Sequence, residues 1–189
     1  YAYENLVNST MEGKQYMLDS VIGNSTQPSH DFGGLTGPVT ETASYRTQYY
    51  LTVVSAYDTP GGQGWYDDGA TAYATLETGL VTEDSTRHVF TGWSGDASGT
   101  GLRSDAILMT GPRTATANWK TQYLQRFDAS ANVKSDGLGT IVTVNGSSAS
   151  AAALPYELWA DAGAKVFYSY EQTVQSSVAG KRYRLDSVA

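Results

Sequence analysis

A chain of 189 residues with a formal net charge of −7 and only 12 Lys and Arg offers no basic surface for nucleic acid. It holds no cysteine, which excludes disulfides and thiolate metal centres, and no apolar run approaches the ~18–20 residues of a membrane span. Charged residues are 16% of the chain against 20 Gly and 14 Tyr, a balance that favours strands and turns over surface helices.

The alternating segment 39–45 reads as extended, and Tyr49–Ser55 as a strand ended by the turn cluster Asp58-Thr59-Pro60-Gly61-Gly62. Asp67-Asp68-Gly69 is a turn, and Ala70–Leu76 alternates small or polar residues with larger ones. Further strands are expected at Arg87–Trp93, Ala106–Met109 and Thr114–Trp119. Five short strands between Gly, Pro and Asp turns predict an antiparallel unit. Beyond it, Gly139–Gly146 is the clearest strand, with Asn145-Gly146 as a turn at its end and the small, polar segment 147–153 as a loop. Ala164–Tyr170 and Gly180–Val188 complete the strands. Gln172–Ala179 is the one helix candidate, short and rich in Ser and Val. The fold class is all-β.

Internal copies organise these elements. Residues 1–22 align without a gap on 168–189, with twelve identities, including Gly13-Lys14, Tyr16 and Leu18-Asp19-Ser20-Val21 against Gly180-Lys181, Tyr183 and Leu185-Asp186-Ser187-Val188. Thr36-Gly37-Pro38, Thr40, Thr42-Ala43 and Thr47-Gln48-Tyr49 recur 74 residues later, ending at Thr121-Gln122-Tyr123. Trp65, Gly69 and Ala70 recur as Trp159, Gly163 and Ala164. The chain therefore reads as a stretch of a tandem array. It divides into the end of one repeat unit (1–46), a complete unit (47–122), and a unit lacking its last strand (123–189). In the first copy Leu18–Val21 is followed by segment 23–49, and nothing equivalent follows Leu185–Val188 within the chain. That asymmetry predicts head-to-tail completion by strands of other copies or adjacent repeats.

Phe90-Thr91-Gly92-Trp93-Ser94-Gly95-Asp96, followed by Ile107-Leu108-Met109 and Pro112-Arg113-Thr114-Ala115-Thr116-Ala117-Asn118-Trp119, resembles the divergent B-repeat of internalin-type surface proteins, the Listeria–Bacteroides-like repeat. Gly64-Trp65-Tyr66-Asp67-Asp68-Gly69 is similar to the turn after that family's second strand. The resemblance is clearest over 47–122. It implies a small β domain of an extracellular stalk, surface layer or adhesin, with no catalytic residues and no cofactor.

Candidate sites are few. Asp67, Asp68 and Asp96 offer oxygen ligands for Ca²⁺, although Asp and Gly are also ordinary turn residues. Asn8, Asn24 and Asn145 open Asn-x-Ser/Thr sequons and are glycosylation candidates in a secreted protein. Phe90, Trp93, Leu108 and Trp119 are expected in the core. Trp65 and Trp159, beside turns, are expected to pack over the sheet end rather than stack on a ligand. His30 reads as a solvated loop residue, and His88 as an occupant of the slot held by Tyr16 and Tyr183. The expected function is structural, as a tandem β-repeat segment of an extracellular filament. A glycan- or protein-binding adhesin and a non-catalytic tail of a secreted hydrolase are the alternatives.

Overall fold

Small-to-large alternation and frequent Gly turns leave little room for helices: strands make up 54% and helices 5% of the computed structural model. It describes residues 2–21, 29, 33–34 and 37–188, so His30 and Asn24 lie outside the described residues. The strands are β1 (Leu6–Asn8), β2 (Lys14–Val21), β3 (Ala43–Val54), β4 (Gly64–Asp67), β5 (Ala70–Ala72), β6 (Leu80–Glu83), β7 (Thr86–Gly95), β8 (Ile107–Met109) and β9 (Arg113–Phe127). A single turn and a half of helix, α1 (Ala131–Asp136), precedes β10 (Gly137–Leu138), β11 (Thr140–Val144), β12 (Ser147–Ser150) and β13 (Tyr156–Asp161). Then come β14 (Tyr168–Tyr170), β15 (Thr173–Ser176) and β16 (Arg182–Arg184). No helix among the described residues is long and apolar enough to cross a membrane. The chain packs as two units, 1–81 with 90–119 and 82–89 with 120–189.

In the first unit β1, β2 and β3 form an antiparallel sheet, and β2 bulges at Asp19, where the register slips between Leu18 and Ser20. Residues 48–51 of β3 also pair with β4. Residues 51–54 run parallel to 113–116 of β9, against the antiparallel expectation; segment 55–112 is the long crossover that a parallel pair requires. The core joins Leu51 and Val53, Ala72, Ala74 and Leu76, Trp93, Ile107 and Met109, and Ala115 and Ala117. Small alanines on two strands leave the volume that the Trp93 indole fills. Trp93 is buried, while Phe90 and Trp119 are half-buried against the core, edge-on at 5.4 and 5.6 Å around Phe90. Leu108 departs from expectation. It is 55% exposed between buried Ile107 and Met109, because strand side chains alternate and its neighbours hold the inner face.

The Gly-Trp-Ser-Gly-Asp run has a backbone reason. Gly95 has φ +83°, and an added Cβ would lie 2.5 Å from the Thr114 carbonyl oxygen. Gly95→Ala is therefore expected to destabilise the protein by about 2 kcal/mol or more. Urea unfolding followed by circular dichroism checks this, and an unchanged midpoint would contradict it.

In the second unit, residues 122–127 of β9 pair with β13, β11 pairs with both β12 and β14, and β10, β15 and β16 form a third sheet. Val142, Val144 and Ala149 are buried beneath Phe127, Leu154, Tyr156 and Tyr170. The Asn145-Gly146 turn forms as read, with φ of +47° and +83°. The loop expected at 147–153 is instead β12 and a short 3-10 turn, because the hairpin carries Ala149 into the core. The helix candidate 172–179 is strand β15 and a turn, with Val174 buried. α1, β1, β4, β6, β10 and β13 were not expected. Strand lengths shrink where pairing stops: 70–76 to β5, 164–170 to β14, and 180–188 to β16.

Candidate functional site

One arrangement occurs twice. In the first unit Gln15 of β2, Gln48 of β3 and Asp67 of β4 lie side by side across three strands. Gln15 Nε2 donates to Gln48 Oε1 at 2.8 Å, and Gln48 Nε2 donates to Asp67 Oδ1 at 2.7 Å. Gln15 and Gln48 are buried, so this chain of donors answers amides that would otherwise lack partners. Arg46 pairs with the same carboxylate at 3.2 Å. The Asp68 N–H closes the turn on the Thr47 carbonyl at 2.9 Å.

In the second unit Arg87 Nε donates to Gln122 Oε1 at 2.7 Å, and Gln122 Nε2 donates to Asp161 Oδ1 at 2.5 Å. Lys120 pairs with Asp161 at 3.0 Å, and the Ala162 N–H reaches the Thr121 carbonyl at 2.8 Å. The Gln122 amide, then Lys120, holds the Asp161 carboxyl below its usual range. Tyr50 sits opposite Trp65 in one joint and Leu124 opposite Trp159 in the other. His88 is buried with Nδ1 3.2 Å from Thr121 Oγ1, as Tyr16 lies opposite Thr47. The Thr-Gln-Tyr echo and the Trp-to-Gly turn thus mark one structural joint. The ladder of Gln15, Gln48 and Asp67 was missed in the sequence, although Gln48 and Gln122 stand within the repeated triplet.

A third hairpin has the same beginning and a different end. β15–β16 pairs Thr173 with Arg184, Val174 with Tyr183 and Gln175 with Arg182, the register of Leu6 with Met17, Val7 with Tyr16 and Asn8 with Gln15. The Leu185 N–H donates to Gln172 O at 3.0 Å, as that of Leu18 does to Asn5 O at 2.9 Å. Lys181 lies 4.8 Å from the Tyr183 ring centre, and Lys14 5.0 Å from that of Tyr16. Beyond this the copies part. Leu18–Val21 continues β2 against β3, and Val21 is 3% exposed. Leu185–Val188 has the same four residues, no strand partner among the described residues, and Val188 50% exposed. β16 is an edge strand, and a groove of about 610 Å³ runs beside it, with Ile141, Tyr170, Val174, Tyr183, Leu185 and Val188 among its walls.

The remaining candidates have local partners. Asp96 Oδ2 accepts the Thr114 N–H at 2.8 Å and Oδ1 meets Arg113 Nη1 at 2.8 Å; the Thr114 amide, then Arg113, holds this carboxyl below its usual range. Both Asp96 oxygens thus secure the turn against β9. Asp67 belongs to the joint and Asp68 to its turn, and no three His, Cys, Asp or Glu side chains among the described residues converge as a metal site. Asn8 is exposed on β1, and Asn145 is exposed at its turn with Oδ1 accepting the Phe167 N–H at 2.9 Å. Trp65 is 40% exposed and edge-on to Tyr50 at 5.0 Å. Arg87 covers the Trp159 ring at 4.5 Å.

No family model, curated protein or solved structure matches the chain. Its informative comparison is with its own copies.

Proposed function

We propose that the chain is a stretch of a tandem β-repeat array that builds an extracellular filament, stalk or surface layer. Adjoining units complete one another through strands. The observation that carries this reading is the recurrence of one joint, with the same cross-strand hydrogen bonds at Gln48 and Gln122 and the same turn closure at Thr47 and Thr121. A repeat that reuses one joint adds length at each step, each unit meeting its neighbours, without a dedicated active site. The likeness of 90–119 to cell-surface repeats supports the extracellular placement, and the reading assigns the chain no catalytic role. Immunogold labelling of the source cells with an antibody against this chain is expected to decorate the envelope or fibres outside it. Label confined to the cell interior would contradict the proposal.

A glycan-binding adhesin is favoured by one feature. Trp65 and Tyr50 share a groove of about 500 Å³ with Thr52, Pro112 and Thr114, and an exposed aromatic face can stack on a sugar. Binding to a glycan array that is lost in Trp65→Ala would replace the structural reading with this one. No binding by the native chain would remove the adhesin reading.

A further inference from the structure

We propose that Arg182–Val188 is an acceptor edge for a strand of the β3 type, an extended segment patterned on residues 43–49 as Ala-Ser-Tyr-x-Thr-Gln-Tyr with a non-basic residue at x, supplied by another repeat unit. The inference rests on the tandem-array reading and names the partner of one edge.

The chain itself shows what covers this edge. Its first copy, Gln15–Val21, pairs with 43–48 of β3. Placed in that register, a donor strand sets Gln48 opposite Arg182, Thr47 opposite Tyr183, Tyr45 opposite Leu185 and Ala43 opposite Val188. The Arg182–Gln48 contact has a precedent in Arg87 donating to Gln122. The donor's main chain would satisfy the free edge of β16, extend it through Leu185–Val188, and carry Val188 from half-exposed toward the burial of Val21. The groove beside β16 leaves space for the donor's side chains.

One position differs and sets a preference. Met17 contacts Arg46 through its sulfur at 3.0 Å, whereas its copy is Arg184. A donor with Arg at this place would set two cations face to face, and an acidic residue would pair with Arg184. The natural partner of this edge is therefore a β3-type strand without a basic residue at that site.

The test titrates the ¹⁵N-labelled full chain with a synthetic peptide of residues 41–51. Amide shifts confined to 182–188 and their neighbours are expected, with exchange of alternate amides there slowed about tenfold or more. The same peptide carrying Arg46→Glu should bind about threefold or more tighter. Val188→Asp, at an exposed position outside the strands, should weaken binding about tenfold while leaving the rest of the spectrum in place. No shift at 182–188, shifts elsewhere, or equal binding of a scrambled peptide would overturn the proposal. The surface-labelling experiment is independent of this edge, so failure of the peptide would refute this partner without refuting the array.

Discussion

Trp93→Ala is expected to lower stability by about 3–5 kcal/mol, the cost of removing a large aromatic from a core that cannot collapse around the gap. The indole is 6% exposed, stands edge-on to Phe90 at 5.4 Å, and donates through Nε1 to the Gly101 carbonyl at 3.0 Å. Its neighbours include Ala72, Ala74, Ala115 and Ala117, whose short side chains have no rotamer with which to fill a void. The substitution also leaves the Gly101 carbonyl without this donor. Far-UV circular dichroism during urea unfolding should record the loss in the transition that reports the first unit. A change below about 1 kcal/mol would show that the indole does not hold this core.

Acid is expected to unfold the protein steeply below about pH 4. Five carboxyls are held below their usual range by donors present in the fold. Asp58 accepts the Thr78 and Glu77 amides, Asp96 the Thr114 amide and Arg113, and Asp128 pairs with Lys134. Asp136 pairs with Lys181 and Tyr183, and Asp161 accepts from Gln122 and Lys120. A carboxyl whose folded pKa is depressed stabilises fully above its unfolded pKa. That contribution is lost as pH falls through the folded value. The melting temperature should therefore stay nearly flat from about pH 7 to 5 and then fall. Exposure and salt screening temper each contribution, and the number of sites makes the slope visible. Asp96→Asn should be less stable at pH 7 and show a shallower acid fall. A melting temperature unchanged between pH 5 and pH 2 would contradict this account.

The fold was legible where repetition and alternation both spoke. Offsets within the sequence marked the copies, and the structure gives two of them one register down to the Lys–Tyr contact. Alternation located β3, β7, β9 and β11, yet it gave β8 the wrong phase: Leu108, expected in the core, took the outer face. Segment 147–153 looked like a loop because Ser and Ala carry little strand preference; the Asn145-Gly146 turn fixed its first part, 147–150, as a strand by geometry. The parallel pairing of β3 with β9 depends on residues far apart in the chain and leaves no local pattern. The Gln48 and Gln122 ladders were hidden for the same reason. Each amide looks ordinary until two further strands bring its partners, and in the sequence only their shared triplet hinted at a common role.

The identical Leu-Asp-Ser-Val segments carry the central claim, that strand order at each joint is set by the neighbouring unit rather than by the segment itself. Hydrogen exchange on the full chain extended after Ala189 by a second copy of residues 23–54 tests this directly. Leu185–Val188 should then exchange as slowly as Leu18–Val21, within about tenfold, whereas the unextended chain should exchange freely there. Continued fast exchange at Leu185–Val188 in the extended chain would contradict the account.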